Sequence, residues 1–243
     1  AMRVGMEKVV ATARPFAFSS PLTPYPSLAL GAVDLYPLEL ARAYCAFAAT
    51  GTLPFPLGLR AVFDEDGHLI EHRAMQLKRI IPPSRAFLIT SMLQSVVQQG
   101  TGRSLAGLGI DFPVAGKTGT TNNYRDAWFV GYTPDLLTLV WVGFDDGASL
   151  QISGARAALP IWAAIMRAIP HQLSKADCIP PPDVVRHAVC TRNGFPDVSG
   201  DCREMGQEWF EADNIPADEG PFKKAQSPLY RWWYRLKGDK NDP

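Results

Sequence analysis

The sequence predicts an α+β fold in which helices cover an antiparallel sheet, and three observations carry that reading. A segment of small residues from Val114 to Thr121 is followed by two apolar strands, Asp126 to Tyr132 and Leu137 to Phe144. Thr133, Pro134 and Asp135 join those two strands as a short turn of the kind that links antiparallel neighbours, which makes the three strands a meander. A helical stripe of Ile161, Ile165, Ala168 and Ile169 then follows, placed to cover one face of that sheet.

The other elements follow in chain order. Pro37 at a first helical position and Gly51 just past the end frame a helix from Leu38 to Thr50, apolar nearly all round and therefore expected to be deeply buried. Residues 59–72 read as a hairpin, with Val62 and Phe63 on one arm, Leu69 and Ile70 on the other, and Asp66-Gly67 at the turn. From Ser84 to Gln99 the residues Ile89, Met92, Leu93, Val96 and Val97 give one apolar helix stripe, ended by Gly100. Pro180, Pro181 and Pro182 break the pattern, so a boundary is placed near residue 175, with one domain over 1–175 and a small proline-led region over 176–243. The tail from about residue 217 is rich in charge, glycine and proline and is expected to be partly disordered, except where Tyr230, Trp232, Trp233 and Tyr234 pack against the chain's own domain.

Composition excludes more than it assigns. The chain has 243 residues and 47% hydrophobic content, enough for a packed core, and 24 basic against 24 acidic residues give no overall pull toward nucleic acid. No apolar run is as long as a membrane span. Cys45, Cys178, Cys190 and Cys202 show no zinc-ligand spacing, so neither metal nor cofactor is expected. Two readings of the last three stay open: a Cys190–Cys202 bridge, which would indicate an oxidising compartment, or unpaired thiols.

The chemistry concentrates at Ala115-Gly116-Lys117-Thr118-Gly119-Thr120-Thr121, which offers an ammonium, three hydroxyls and backbone N–H groups left accessible by Gly119. Such a strand suits holding an anionic substrate end beside a reacting carbonyl. Gly116-Lys117-Thr118 also matches the end of a phosphate loop, but that motif needs glycine at position 111, where Asp111 stands, and Pro113 removes an N–H from the cradle.

Taken with Gly100-Thr101-Gly102, Arg125 to Pro134 and Val140 to Asp146, this segment resembles the transpeptidase domain of class A penicillin-binding proteins, and more loosely so over roughly residues 3 to 170. The resemblance implies the C-terminal part of the penicillin-binding, serine beta-lactamase-like fold. It implies acyl transfer from a D-Ala-D-Ala stem peptide of peptidoglycan to a neighbouring amine, with beta-lactams trapped at the same serine. Lys117 would supply positive charge near nucleophile and substrate carboxylate, and Thr118 and Thr120 would hydrogen-bond that carboxylate. Gly119 would keep the edge open, and the backbone N–H of Thr120 would be one donor of the oxyanion hole. Asp126 and Arg125 are expected to fix the following strand or its turn.

One departure limits the reading. No serine is followed three residues later by lysine, no Ser-x-Asn occurs, and Ser199-Gly200-Asp201 lies on the wrong side of Lys117 for the family order. The nucleophilic serine is therefore expected in an upstream part of the same protein, together with a glycosyltransferase domain and membrane anchor, and this chain alone is expected not to turn over. The four histidines, His68, His72, His171 and His187, are scattered, so no Ser-His-Asp arrangement replaces it. The place of action implied is the periplasm or extracytoplasmic face of the cytoplasmic membrane. Rival readings are a non-catalytic peptidoglycan-binding or interaction module and, more weakly, a beta-lactamase-like hydrolase.

Overall fold

The computed structural model describes residues 2–192, 194–197 and 202–216. Helix α1 (Met6–Ala13) leads through short 3₁₀ turns to α2 (Pro37–Ala48), which Pro37 starts and Gly51 stops. Gly51 has φ +94°, and a Cβ there would overlap the carbonyl oxygen of Ile81, so only glycine fits the turn into β1 (Thr52–Pro54). The strands β2 (Ala61–Phe63) and β3 (Leu69–His72) form the expected hairpin, turning at Gly67 with φ +83°, and β4 (Leu77–Arg79) pairs back on β1. Next come α3 (Pro83–Gln98), β5 (Ala115–Thr120), β6 (Asp126–Tyr132), β7 (Leu137–Gly143) and α4 (Ala158–Ala168).

The sheet β5-β6-β7 is antiparallel throughout, as the meander reading requires. Its two faces are distinguished by side-chain alternation along β6. Phe129 and Gly131 face α4, where the Trp162 ring meets Phe129 edge-on at 5.3 Å between centroids. Val130 and Tyr132 face the other way, and the Tyr132 hydroxyl hydrogen-bonds the Thr90 hydroxyl of α3 at 2.8 Å. Burial pushes the Tyr132 phenol above its ordinary pKa, so it stays a neutral donor or acceptor in that contact.

Three helices differ from expectation in what they bury. α2 is not deeply buried: only Ala43 and Ala46 are enclosed and Leu38 is 64% exposed, because β1, α3 and β7 cover one side of it. Apolar character all round gives a helix the capacity for burial, whereas its neighbours decide how much is used. On α3 the enclosed residues are Ser84, Ala86, Phe87 and Thr90, while Met92 of the expected stripe is 62% exposed. Thr90 turns inward because Tyr132 and the Ala86 carbonyl satisfy its hydroxyl.

On α4 the buried face is Ala158, Leu159, Trp162, Ala163 and Met166, and Ile161 of the expected stripe is 45% exposed; Ile169 alone of that stripe packs against the core. Trp162 sets this phase. Its Nε1–H donates to the carbonyls of Gly131 at 3.2 Å and Thr138 at 3.1 Å. Its ring fills the space over Gly131, where a Cβ would come within 2.8 Å of it.

The chain divides into two compact units, the first ending at Ile179 and the second starting at Pro180. The end of the first is strapped down by the Ser174 N–H and hydroxyl donating to Asp135, Lys175 to Asp111 and Gln94 to Asp177. In the second unit β8 (Val184–Cys190) and β9 (Met205–Glu211) form an antiparallel pair, with Val185 opposite Phe210. Cys190, the last residue of β8, and Cys202, in the connection before β9, form a disulfide. Cys45 and Cys178 are free and half-buried, and burial raises both thiols above their ordinary pKa. The aromatic cluster at Tyr230, Trp232, Trp233 and Tyr234 lies outside the described residues.

Two stability measurements check this account. Trp162→Ala should cost about 3–5 kcal/mol in urea denaturation, whereas Ile161→Ala should cost about 1 kcal/mol or less; equal losses would contradict the phase of α4. Reduction of the disulfide, or Cys190→Ser, should remove about 2–4 kcal/mol from the second unit, read as earlier amide exchange in β8 and β9 while β6 is unchanged.

Candidate functional site

Among the described residues the strand β5 has one neighbour in its sheet, β6, so its far side is a sheet edge there. The register pairs Lys117 with Val130, Thr118 with Phe129, Gly119 with Trp128 and Thr120 with Ala127. Beyond the last pair, the Thr121 N–H donates to the Asp126 carbonyl at 3.1 Å. Antiparallel partners alternate between bonded and non-bonded pairs. It follows that Gly119 and Lys117 direct their backbone groups inward to β6, while the N–H and C=O of Thr118 and Thr120 point outward from the edge.

Side chains flank that edge from both faces. Lys117 is exposed and lies on the α3 side, with its Nζ donating to the outward carbonyl of Thr118 at 2.7 Å. Thr118 and Thr120 lie on the α4 side. Thr118 is only 9% exposed, and its hydroxyl meets the Thr101 hydroxyl at 2.6 Å. The Thr120 hydroxyl accepts the Gly154 N–H at 3.0 Å, which leaves its own proton free to donate. A Cβ on Gly154 would overlap the Gly119 carbonyl oxygen, so that loop lies flat against the strand pair. Gly119 itself is closely packed: a Cβ there would sit 3.1 Å from Cβ of Trp128.

The end of β5 is held by a network around Asp126. One carboxylate oxygen accepts the Thr121 hydroxyl at 2.9 Å and the other accepts Trp141 Nε1–H at 2.9 Å, while the Asp126 N–H donates to Thr121 Oγ1 at 2.9 Å. Trp141 in turn packs on Trp128 at 6.0 Å between centroids. The connecting turn takes left-handed backbone at Asn123 and Tyr124, and its carbonyls are tied to Ser149 and Leu150. Asp126 thus fixes the strand end, as expected of it, and Arg125 beside it is exposed.

The structure therefore brings together Lys117, Thr118, Gly119 and Thr120 with two residues to which sequence reasoning gave no site role, Thr101 and Gly154. Gly100-Thr101-Gly102 reads as part of the family resemblance and as a helix end, and nothing local marks Gly154, whose role is set by a contact 34 residues away. His68, Asp64 and Asp66 converge in the β2–β3 turn, where all three are exposed and Asp64 already accepts N–H groups of the turn. Ser199-Gly200-Asp201 lies outside the described residues.

Comparison with known proteins identifies the family and the fold. The family model described as the penicillin binding protein transpeptidase domain matches residues 23–167. Penicillin-binding protein 1A of Aquifex aeolicus is 39% identical over 186 residues, which cover 75% of this chain and 25% of that protein. Among solved structures, penicillin-binding protein 1A of Haemophilus influenzae superposes with a TM-score of 0.80 at 25% identity, covering 89% of this chain and 38% of that one. The PonA1 protein of Mycobacterium tuberculosis, solved in complex with penicillin V, gives a TM-score of 0.57 at 28% identity, over 66% of this chain and 45% of that one. The chain thus spans about a quarter of the length of the Aquifex protein. The antiparallel sheet with its covering helices is the α+β fold of these transpeptidase domains, and the chain belongs to the penicillin-binding protein transpeptidase domain family.

Proposed function

We propose that this chain supplies the substrate-binding strand of a peptidoglycan D,D-transpeptidase of the class A type, and that the nucleophilic serine comes from another part of the same protein. The observation that carries the reading is the free edge of β5, on which the outward backbone groups of Thr118 and Thr120 stand between the Lys117 ammonium and two threonine hydroxyls. A stem peptide ending in D-Ala-D-Ala adds to that edge as an extra strand, pairing its backbone with the outward groups. Its terminal carboxylate is held by Lys117 and by the Thr118 and Thr120 hydroxyls through charge-assisted hydrogen bonds.

With the peptide so placed, the scissile carbonyl oxygen lies beside the Thr120 N–H. That donor is fixed before the substrate arrives, because the Asp126 network and Gly154 hold the strand end, and a fixed donor stabilises the developing oxyanion without reorganising. The sequence holds no Ser-x-x-Lys, and attack needs a nucleophile within reach of a base, which supports a serine supplied from elsewhere in the protein. The serine attacks the carbonyl, D-alanine leaves, and an amine of a neighbouring stem takes the acyl group. A beta-lactam presents a carboxylate and a carbonyl in the same relation, and the penicillin V complex of the PonA1 protein supports that ligand class. The Cys190–Cys202 disulfide supports action outside the cytoplasm.

Fluorescent penicillin tests the division of labour. The 243-residue chain alone should take no covalent label, whereas a longer form that includes a Ser-x-x-Lys should label at that serine. Covalent label on the isolated chain would contradict the proposal. In the longer form Thr120→Pro, which removes the N–H, should slow acylation on the order of 10²–10³-fold, and Thr120→Ala, which keeps it, should cost far less. Equal effects of the two would remove the backbone donor from the mechanism.

A further inference from the structure

The Gly100-Thr101-Gly102 turn is built to hold one hydroxyl in place. The N–H groups of both glycines donate to the Val96 carbonyl at 3.0 Å, folding the chain back over the last turn of α3. A Cβ on Gly100 would clash, 2.9 Å from Val96 O, and one on Gly102 would be tight, 3.2 Å from Val97 Cα. Thr101, between them, is pinned with its Oγ1 at 2.6 Å from Oγ1 of Thr118, although the two residues are 17 apart in sequence.

We infer that Thr101 is a positioning residue that orients the Thr118 hydroxyl toward the carboxylate of an incoming ligand, and so sets the preference of this edge for an anionic peptide end. The inference rests on the proposed reading of β5. A hydroxyl has one proton and two lone pairs, and a lone rotor distributes that proton over several directions. With Thr101 fixed beside it, only two arrangements of the pair remain. When Thr101 donates, a lone pair of Thr118 is occupied and the Thr118 proton is released toward the edge, where an anion accepts it.

A carboxylate selects that direction, and each bond of the resulting chain polarises the next. A neutral carboxamide selects it weakly. Thr120 reaches the same state by a different route, since the Gly154 N–H occupies one lone pair of its hydroxyl. The two threonines therefore present donors to one anionic group, one set by backbone and the other by a neighbouring side chain.

The test is NMR titration of the 243-residue chain with N-acetyl-D-alanyl-D-alanine and with its C-terminal amide, following the amide signals of Thr118, Gly119 and Thr120. The wild-type chain should favour the acid. Thr101→Val should weaken binding of the acid by about three- to tenfold and leave binding of the amide nearly unchanged, and Thr101→Ser should restore the wild-type preference. A wild-type preference that Thr101→Val leaves intact would overturn the inference alone. Equal weakening of acid and amide, or a loss that Thr101→Ser does not restore, would show a merely structural role and overturn it as well. A wild-type chain with no preference for the acid would instead overturn the functional reading of β5 on which the inference stands.

Discussion

Among the described residues strand β5 is hydrogen-bonded on one side only, and the rest of the site depends on that asymmetry. A central strand would spend the N–H and C=O groups of Thr118 and Thr120 on a second neighbour; at an edge they are available to a peptide. Exposed edges invite unwanted pairing, and here the edge is short and carries a lysine. The same Lys117 that blunts the edge against association supplies the charge an anionic ligand needs. Its ammonium rests on the Thr118 carbonyl, so it already lies along the edge where a ligand would extend.

An open edge is useful only if the strand behind it is rigid. Rigidity comes from both faces of the sheet and from its end. On one face Trp162 seats on Gly131 and Phe129, fixing α4; on the other Tyr132 and Thr90 join β6 to α3 through a buried hydroxyl pair. At the end, Asp126 connects Thr121 to Trp141, spanning all three strands' worth of backbone with one carboxylate. Gly154 then presses on the Gly119 and Trp128 backbones from the α4 side. None of these contacts uses the outward backbone groups of Thr118 or Thr120.

Much of this was legible in the sequence where the signal is local. The meander is readable because Asp126 to Tyr132 and Leu137 to Gly143 are apolar runs divided by Thr133-Pro134-Asp135, and the start and end of α2 follow from Pro37 and Gly51. The Lys117-Thr118-Gly119 segment is readable because residue type and spacing carry its chemistry directly. What the pattern misses is set by distant partners. Ile161 and Ile165 look like a core stripe, but the vacancy over Gly131 fits an indole and turns Trp162 inward instead. Thr90 is absent from the apolar stripe read for α3, and it turns inward because Tyr132 offers it a partner. The β8–β9 pair escapes because Arg186, His187, Gln207 and Glu208 break the alternation of a buried strand, and a disulfide does part of the work of a core. Thr101 and Gly154 belong to the same class: their roles exist only once β5 lies beside them.

Residue-resolved amide hydrogen exchange on the free chain tests the central claim most directly. The account predicts that the outward N–H groups of Thr118 and Thr120 exchange far faster than the inward ones of Lys117 and Gly119 in the same strand, and that a peptide ending in a free carboxylate slows Thr118 and Thr120 selectively. Strong protection of the Thr120 N–H in the free chain, equal to that of Gly119, would mean that the edge is already occupied and would contradict it.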